Sequence, residues 1–211
     1  MQERQYPTGA SLRQTLRNQR KAIPFNLRRH YDKLINKQLI RCGILQRTPY
    51  IASYISNDAE VSLDLFIQLC SARKVPHYLP VIKKNSQLEF SAYHSGDKLL
   101  DNKFKIPEPA ITKKFNVKFL SVILMPLVGF DLQGNRLGMG GGFYDRTLAF
   151  SRNSHNKKRP LLIGVAYETQ SINTLSTRAW DVPLDAAITE RNIYLFSTRA
   201  RALLRTNTSV E

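Results

Sequence analysis

Residues 124 to 148 read Leu-Met-Pro-Leu-Val-Gly-Phe-Asp-Leu-Gln-Gly-Asn-Arg-Leu-Gly-Met-Gly-Gly-Gly-Phe-Tyr-Asp-Arg-Thr-Leu, and this stretch limits the possible folds more than any other. An apolar run ends at Phe130-Asp131 and a turn follows at Gln133-Gly134. Four glycines (Gly138, Gly140, Gly141 and Gly142) then open a predicted amphipathic helix. Glycine reaches positive φ without a steric clash and lets the backbone come close to a ligand. The unpaired amides at a helix start favour an anion. Arg136 and Asp145 bracket the loop with a guanidinium and a carboxylate suited to a metal ion. The pattern predicts a phosphate cradle between a strand and a helix.

Two familiar phosphate loops are excluded. No Gly-Lys-Ser/Thr follows the glycines, so this is not a Walker A motif, and Phe143 stands where the dinucleotide fingerprint places its last glycine. A plain strand-to-helix connection needs one or two glycines. Each further one costs roughly 0.5–1 kcal/mol in chain entropy, which favours a ligand as the reason for the rest.

The flanking pattern supplies the scaffold. Residues 10–22 read as a helix halted by Pro24, and 24–42 as a second helix closed by Gly43. Strands are predicted at 49–55, 75–82, 88–93, 119–128, 161–167, 186–189 and 193–196, with a helix at 61–73. The segment 94–117 reads as mostly loop, Ser151–Arg159 as a polar insert, and 199–211 as a fraying tail. Strands alternating with helices predict one domain over 1–211, a Rossmann-like three-layer αβα sandwich around a largely parallel sheet. Ligands bind such sheets beyond the carboxyl ends of the strands, the edge on which the glycine loop falls.

The chain has 211 residues, 42% of them apolar, enough for one substantial core. Val122 to Phe130, the longest apolar run, is about half of what spans a bilayer, and no secretory segment is apparent near Met1. Cys42 and Cys70 lie in apolar settings and read as small core residues, which suits a cytoplasmic, reducing compartment. The net charge of +16 favours anionic partners. Residues 1–50 hold eleven Lys/Arg against Glu3 and Asp32, interleaved with apolar residues as in the solvated faces of helices. A nucleic-acid-binding module is the alternative in a different class, although no RNA-recognition, zinc-finger or helix-turn-helix signature accompanies the charge. Another phosphate-ligand enzyme on a similar scaffold is the third reading.

With these residues laid out, the chain resembles the 5-formyltetrahydrofolate cyclo-ligases, also called 5,10-methenyltetrahydrofolate synthetases, over nearly its whole length. The segments that carry the likeness are Pro126–Asp131 with Gly134–Arg146, Leu12-Arg13, Tyr54–Val61, Ile106–Pro109 and Trp180–Thr189. The resemblance implies an ATP- and Mg²⁺-dependent ligase that converts 5-formyltetrahydrofolate to 5,10-methenyltetrahydrofolate, ADP and phosphate. A monomer with small-molecule substrates and no membrane or specific nucleic-acid partner is expected.

The resemblance also implies roles. Arg136, Leu137, Gly138, Met139, Gly140, Gly141, Gly142, Phe143 and Tyr144 correspond to the family's ATP-binding loop, and Arg13 to an arginine reaching the nucleotide phosphates. Arg136 and Asp145 serve the chemistry. Asp145 and Asp185 fall at Mg²⁺-ligand positions, and Ile55 and Glu60 at substrate-contacting ones. The chain departs from the pattern at Gly9 and Gly141, where family members often carry lysine, and at Phe143, commonly tyrosine. Cations from elsewhere must then make up the missing charge.

Overall fold

The computed structural model describes residues 9–111, 113–152 and 159–205. Two helices lead in, α1 (Gly9–Lys21) and α2 (Phe25–Arg41), separated where Pro24 adopts an extended conformation before the second. Gly43, at φ +88°, turns the chain into a short α3 (Ile44–Arg47). Next come β1 (Ile51–Ala52), α4 (Asp64–Ala72), β2 (His77–Ile82) and β3 (Leu88–Ala92). They are followed by a hairpin of β4 (Leu99–Asp101) and β5 (Pro107–Pro109), then β6 (Lys114–Phe115). The second half holds β7 (Val122–Pro126), β8 (Gly129–Asp131), β9 (Arg136–Leu137), α5 (Phe143–Thr147) and β10 (Leu161–Val165). It ends with β11 (Ser171–Ile172), β12 (Ala186–Ile188), β13 (Ile193–Leu195) and α6 (Thr198–Leu203).

The main sheet has eight strands in the order β13-β12-β10-β7-β1-β2-β3-β6. Its five central strands, β12 through β2, run parallel, and antiparallel strands finish both edges. Period-2 alternation sends β7 side chains to opposite faces. Val122 and Leu124 join Ile35, Leu39, Phe66 and Ala200 in the core shared with α2, α4 and α6. Ile123 and Met125 join Phe130, Leu148, Val182 and Leu184 on the other face. The expected layers are therefore present, and the second outer layer is thin, with the single turn of α5 as its helix.

A small sheet, β11-β8-β9, carries α1. Leu16 packs there with Val128, Leu137 and Leu175. Gly129 makes that contact possible, since a Cβ at this position would lie 2.6 Å from Leu16 Cδ1. The turn into β9 is organised by the buried Asp131 carboxylate, which accepts the Gln133, Asn135 and Leu175 amides at 3.0, 2.9 and 2.9 Å. The signature Phe-Asp…Gly-Asn is thus a structural turn that delivers Arg136 and the glycine loop.

Several expectations need correction. The segment 94–117 holds β4, β5 and β6, because Asn102 builds the hairpin turn by accepting the Phe104 and Ile106 amides. The helix after the glycines is one turn, continued by a 3₁₀ turn at Ala149–Arg152. The 199–211 tail is helical in its first part. Ser197 Oγ accepts the Ala200 amide at 3.1 Å, and Arg47 donates to the Leu203 carbonyl at 2.7 Å. Residues 206–211 of that tail, and residues 153–158 of the polar insert, lie outside the described residues.

Candidate nucleotide and folate site

Adjacent strands β1 and β7 place two segments at the carboxyl edge of the sheet: 53–60, directly after β1, and the glycine loop 138–142, after the β8-β9 turn. Helix α1 touches both.

In the glycine loop, Gly140 (φ +97°) and Gly142 (φ +62°) take left-handed conformations that side chains disfavour. The backbone amides of Gly138 through Asp145 donate to no group among the described residues, so they remain available to a ligand. Two guanidinium groups fix the loop's carbonyls. Arg13 Nε donates to Gly138 O at 2.8 Å, and Arg146 donates to Gly141 O and, at 3.0 Å, to Ser86 O. Gly141 and Phe143 go together, since a Cβ at 141 would meet the Phe143 ring at 2.5 Å. Leu137 is buried beneath the loop, and Met139 is exposed.

Arg136, with its side chain only 6% exposed, donates to Asp145 Oδ1 at 2.7 Å and to the Val182 carbonyl. Burial lowers the pKa of this guanidinium and the Asp145 charge opposes that shift. Asp145 Oδ1 also accepts the Val182 amide at 3.2 Å, and Oδ2 has no donor among the described residues. A carboxylate oxygen open beside a phosphate cradle fits Mg²⁺, which usually takes one or two carboxylates alongside phosphates and water.

Asp185 is a correction. It immediately precedes β12, at the amino edge of the parallel strands, and is 1% exposed. Arg159 grips both its oxygens, at 2.7 and 2.9 Å, and the Leu162 amide adds a third bond at 2.9 Å. With three donors on its oxygens and the Arg159 guanidinium as its counter-charge, this buried carboxylate ties β10 to β12 and already faces a cation where a metal would have to sit. Among the described residues no group of three or more His, Cys, Asp or Glu could hold a metal ion.

Glu60 closes the other loop. Its Oε2 accepts the Asn57 amide at 3.1 Å, and its own amide donates to Asn57 O at 2.9 Å. Burial raises the Glu60 carboxyl to about 7, against the pull of the Asn57 amide and Arg20. Tyr144 lies within electrostatic reach of Glu60, and burial together with that carboxyl raises the Tyr144 phenol. Tyr144 directly follows the glycine loop, so the Glu60 charge is felt at the end of that loop. Ile55 is partly buried against the helix-covered core, at the root of the same loop. A cleft of about 560 Å³, lined by Phe25, Arg28, Arg29, Lys33, Glu60 and Leu65 among others, opens on the α2 side. Its size suits a small organic ligand.

Sequence reasoning missed the clamp beneath this loop. Arg17, Arg20 and Lys21 do not all belong to a solvated face, because all three converge on Asp58 at 2.9, 3.0 and 2.5 Å. Arg20 is 1% exposed. The signal lay in the spacing of Arg13, Arg17, Arg20 and Lys21, which occupy one face of a helix. Cys42 and Cys70 are free and buried as expected, and desolvation pushes their thiols up to about 11 and about 12.

Fold and site together define a class: a mostly parallel α/β protein in which one helix, α1, holds a glycine loop with unpaired amides and a second loop ending in a largely buried carboxyl. The chain belongs to the 5-formyltetrahydrofolate cyclo-ligase family, whose model matches residues 6–190. It is 41% identical over 138 residues to the 5-formyltetrahydrofolate cyclo-ligase of Haemophilus influenzae, covering 64% of this chain and 72% of that protein. The Escherichia coli K12 enzyme of that name is 36% identical over 148 residues, covering 68% and 79%. The solved 5,10-methenyltetrahydrofolate synthetase of Aquifex aeolicus superposes with a TM-score of 0.78 at 27% identity, over 97% of both chains.

Proposed function

We propose that this protein is the ATP-dependent ligase that closes 5-formyltetrahydrofolate to 5,10-methenyltetrahydrofolate. The observation that supports the reading, beside family membership, is that α1 holds both the glycine loop, through Arg13 on Gly138 O, and the Glu60 loop, through Arg17, Arg20 and Lys21 on Asp58. A nucleotide phosphate held by the first would lie next to a pterin held by the second.

The chemistry asks for alignment. A formyl amide is a poor electrophile because its nitrogen donates into the carbonyl. Transfer of the γ-phosphoryl group to the formyl oxygen releases ADP and makes that oxygen a leaving group. The neighbouring folate nitrogen then attacks the carbon, loses its proton, and phosphate departs as the carbon–oxygen bond breaks. Charge builds on the phosphoryl oxygens, so neutralisation and positioning supply most of the rate.

In this reading the amides of residues 138–142, Arg13 and Arg136 hold the phosphates. Mg²⁺ would be held by Asp145 Oδ2 with phosphate oxygens, and when bound it neutralises charge on the transferred group. Arg136 keeps Asp145 oriented through the 2.7 Å bond. Glu60 hydrogen-bonds the pterin, and Ile55 gives apolar contact. The +16 charge speeds encounter with two anionic substrates, without need of nucleic acid. A monomer in a reducing cytoplasm belongs to the same proposal. Among the described residues no helix is long and apolar enough to cross a membrane.

The test is spectrophotometric: the methenyl chromophore should form from 5-formyltetrahydrofolate only when ATP and Mg²⁺ are present. Asp145→Asn should lower kcat about a hundredfold with the fold intact, in keeping with loss of a transition-state charge contact. Wild-type rates from that variant at ordinary Mg²⁺ would remove Asp145 from the metal role.

A further inference from the structure

We infer that Asp58 is the positioning residue of the folate loop: clamped by three cations of α1, it holds a strained turn that aims Glu60 at the substrate. The inference rests on the reading of Glu60 as a substrate contact.

The backbone shows the need for a clamp. Asp58 (φ 50°) and Ala59 (φ 61°) are consecutive non-glycine residues in the left-handed region, immediately before Glu60. Such conformations persist only where the surroundings over-determine them. The surroundings here are ionic. Arg17 Nε and Arg20 Nη2 reach Asp58 Oδ2 at 2.9 and 3.0 Å, and Lys21 Nζ reaches Oδ1 at 2.5 Å. Arg20 also donates to the Asp58 carbonyl at 2.8 Å and to the Leu127 carbonyl at 3.2 Å, between β7 and β8. Among the described residues its Nε has no acceptor, and Asp58 supplies the counter-charge of the buried guanidinium. The Asn57 side chain accepts the Asp58 amide at 2.8 Å and completes the turn.

The same helix holds the glycine loop through Arg13. One rigid element thus fixes both loops, and Asp58 is where it grips the folate side. Burial works against the Asp58 charge, but the bonds from Arg17 and Lys21 prevail and hold the carboxyl at about 2. The clamp is therefore closed at any pH at which the enzyme would be assayed.

Asp58→Asn tests this directly, because asparagine tolerates left-handed φ and keeps the shape while removing the charge. The expected result is a rise of about tenfold in the folate KM, the size of one lost hydrogen bond, with the ATP KM and kcat within about twofold. A pH profile adds a second readout. The charged or titratable groups around Glu60 are Asp58, Arg20, Tyr54 and Tyr144, with Arg28, Arg29, Asp32 and Lys33 of α2 and Asp64 of α4 lining the same cleft. Of these, Asp58 raises the Glu60 carboxyl and Arg20 lowers it. Losing the Asp58 charge therefore moves the pH midpoint of folate binding down, a change that mere loosening of α1 would not produce. If the variant fails to fold, Arg17→Met with Lys21→Met opens the clamp from its solvent side, and the folate KM should still rise selectively, about threefold. An unchanged folate KM, or equal rises in both KM values, overturns the inference. Absence of ring closure in the wild type would instead overturn the functional reading.

Discussion

The glycine loop and the Glu60 loop both turn the chain through left-handed backbone, and they do so with different residues. Gly140 and Gly142 reach positive φ because they lack a Cβ, which leaves the amides of that loop bare and open. Asp58 and Ala59 reach it with side chains in place, held by Arg17, Arg20 and Lys21. The division matches what each loop is proposed to bind. A phosphate is recognised by main-chain donors, so side chains would only obstruct. A heterocycle is recognised by one placed carboxyl, so the loop needs a side chain and a means of fixing it. Cost follows the same division: entropy in the first loop, strain and ion-pair desolvation in the second.

The largest effect should come from putting a side chain where the first loop excludes one. Gly140→Val places a β-branched residue at φ +97° with its Cβ beside the Arg13 guanidinium, 3.8 Å from Nε. The turn must open and the amides turn away. ATP affinity, measured by calorimetric titration, should fall about a hundredfold, in line with a strain of 1–3 kcal/mol plus lost donors. Folate affinity should hold. An unaltered ATP isotherm would mean that the loop is a connection and nothing more.

Glu60→Gln probes the second loop with a smaller change. The folate KM should rise about tenfold and the ATP KM stay nearly constant, and the reverse order would relocate the pterin. Stability gives an independent sign. Burial raises the Glu60 carboxyl from 4.5 to about 7 in the folded protein, so its stabilising contribution is full below about 4.5 and is lost as pH rises through 7. Glutamine cannot ionise. The melting temperature of Glu60→Gln relative to wild type should therefore climb between pH 4.5 and 7, and a flat difference would show that Glu60 ionises freely.

The two loops also differ in how far the sequence revealed them. Glycine density, the apolar run of β7 and the alternation of elements made the left-handed glycine loop and the parallel sheet legible, because local backbone chemistry determines both. The clamp on Asp58 joins residues 37 to 41 positions apart, and its cations look like surface charge until the chain is folded. Asp185 misled for the same reason. An acidic residue before a strand is a ligand or a strut according to what faces it, and Arg159, 26 residues away, decides for the strut. The hairpin within 94–117 was hidden by its prolines, which sit at a two-strand edge where a missing amide is tolerated.

The smallest expected effect separates strain from function within the second loop. Ala59→Gly removes the left-handed penalty, roughly 1–2 kcal/mol for an L-residue, and adds roughly 0.5–1 kcal/mol of chain entropy. The net should be a stabilisation of about 0.5 kcal/mol, or about 1–2 °C in Tm for a chain this long. Both KM values should hold, because the ionic clamp on Asp58 is untouched. Gly140→Ala in the first loop should shift Tm in the opposite direction, since alanine gains strain where glycine had none. If both substitutions lowered Tm by similar amounts, the strain assigned to Ala59 would be absent and the contrast between the loops would reduce to their side chains.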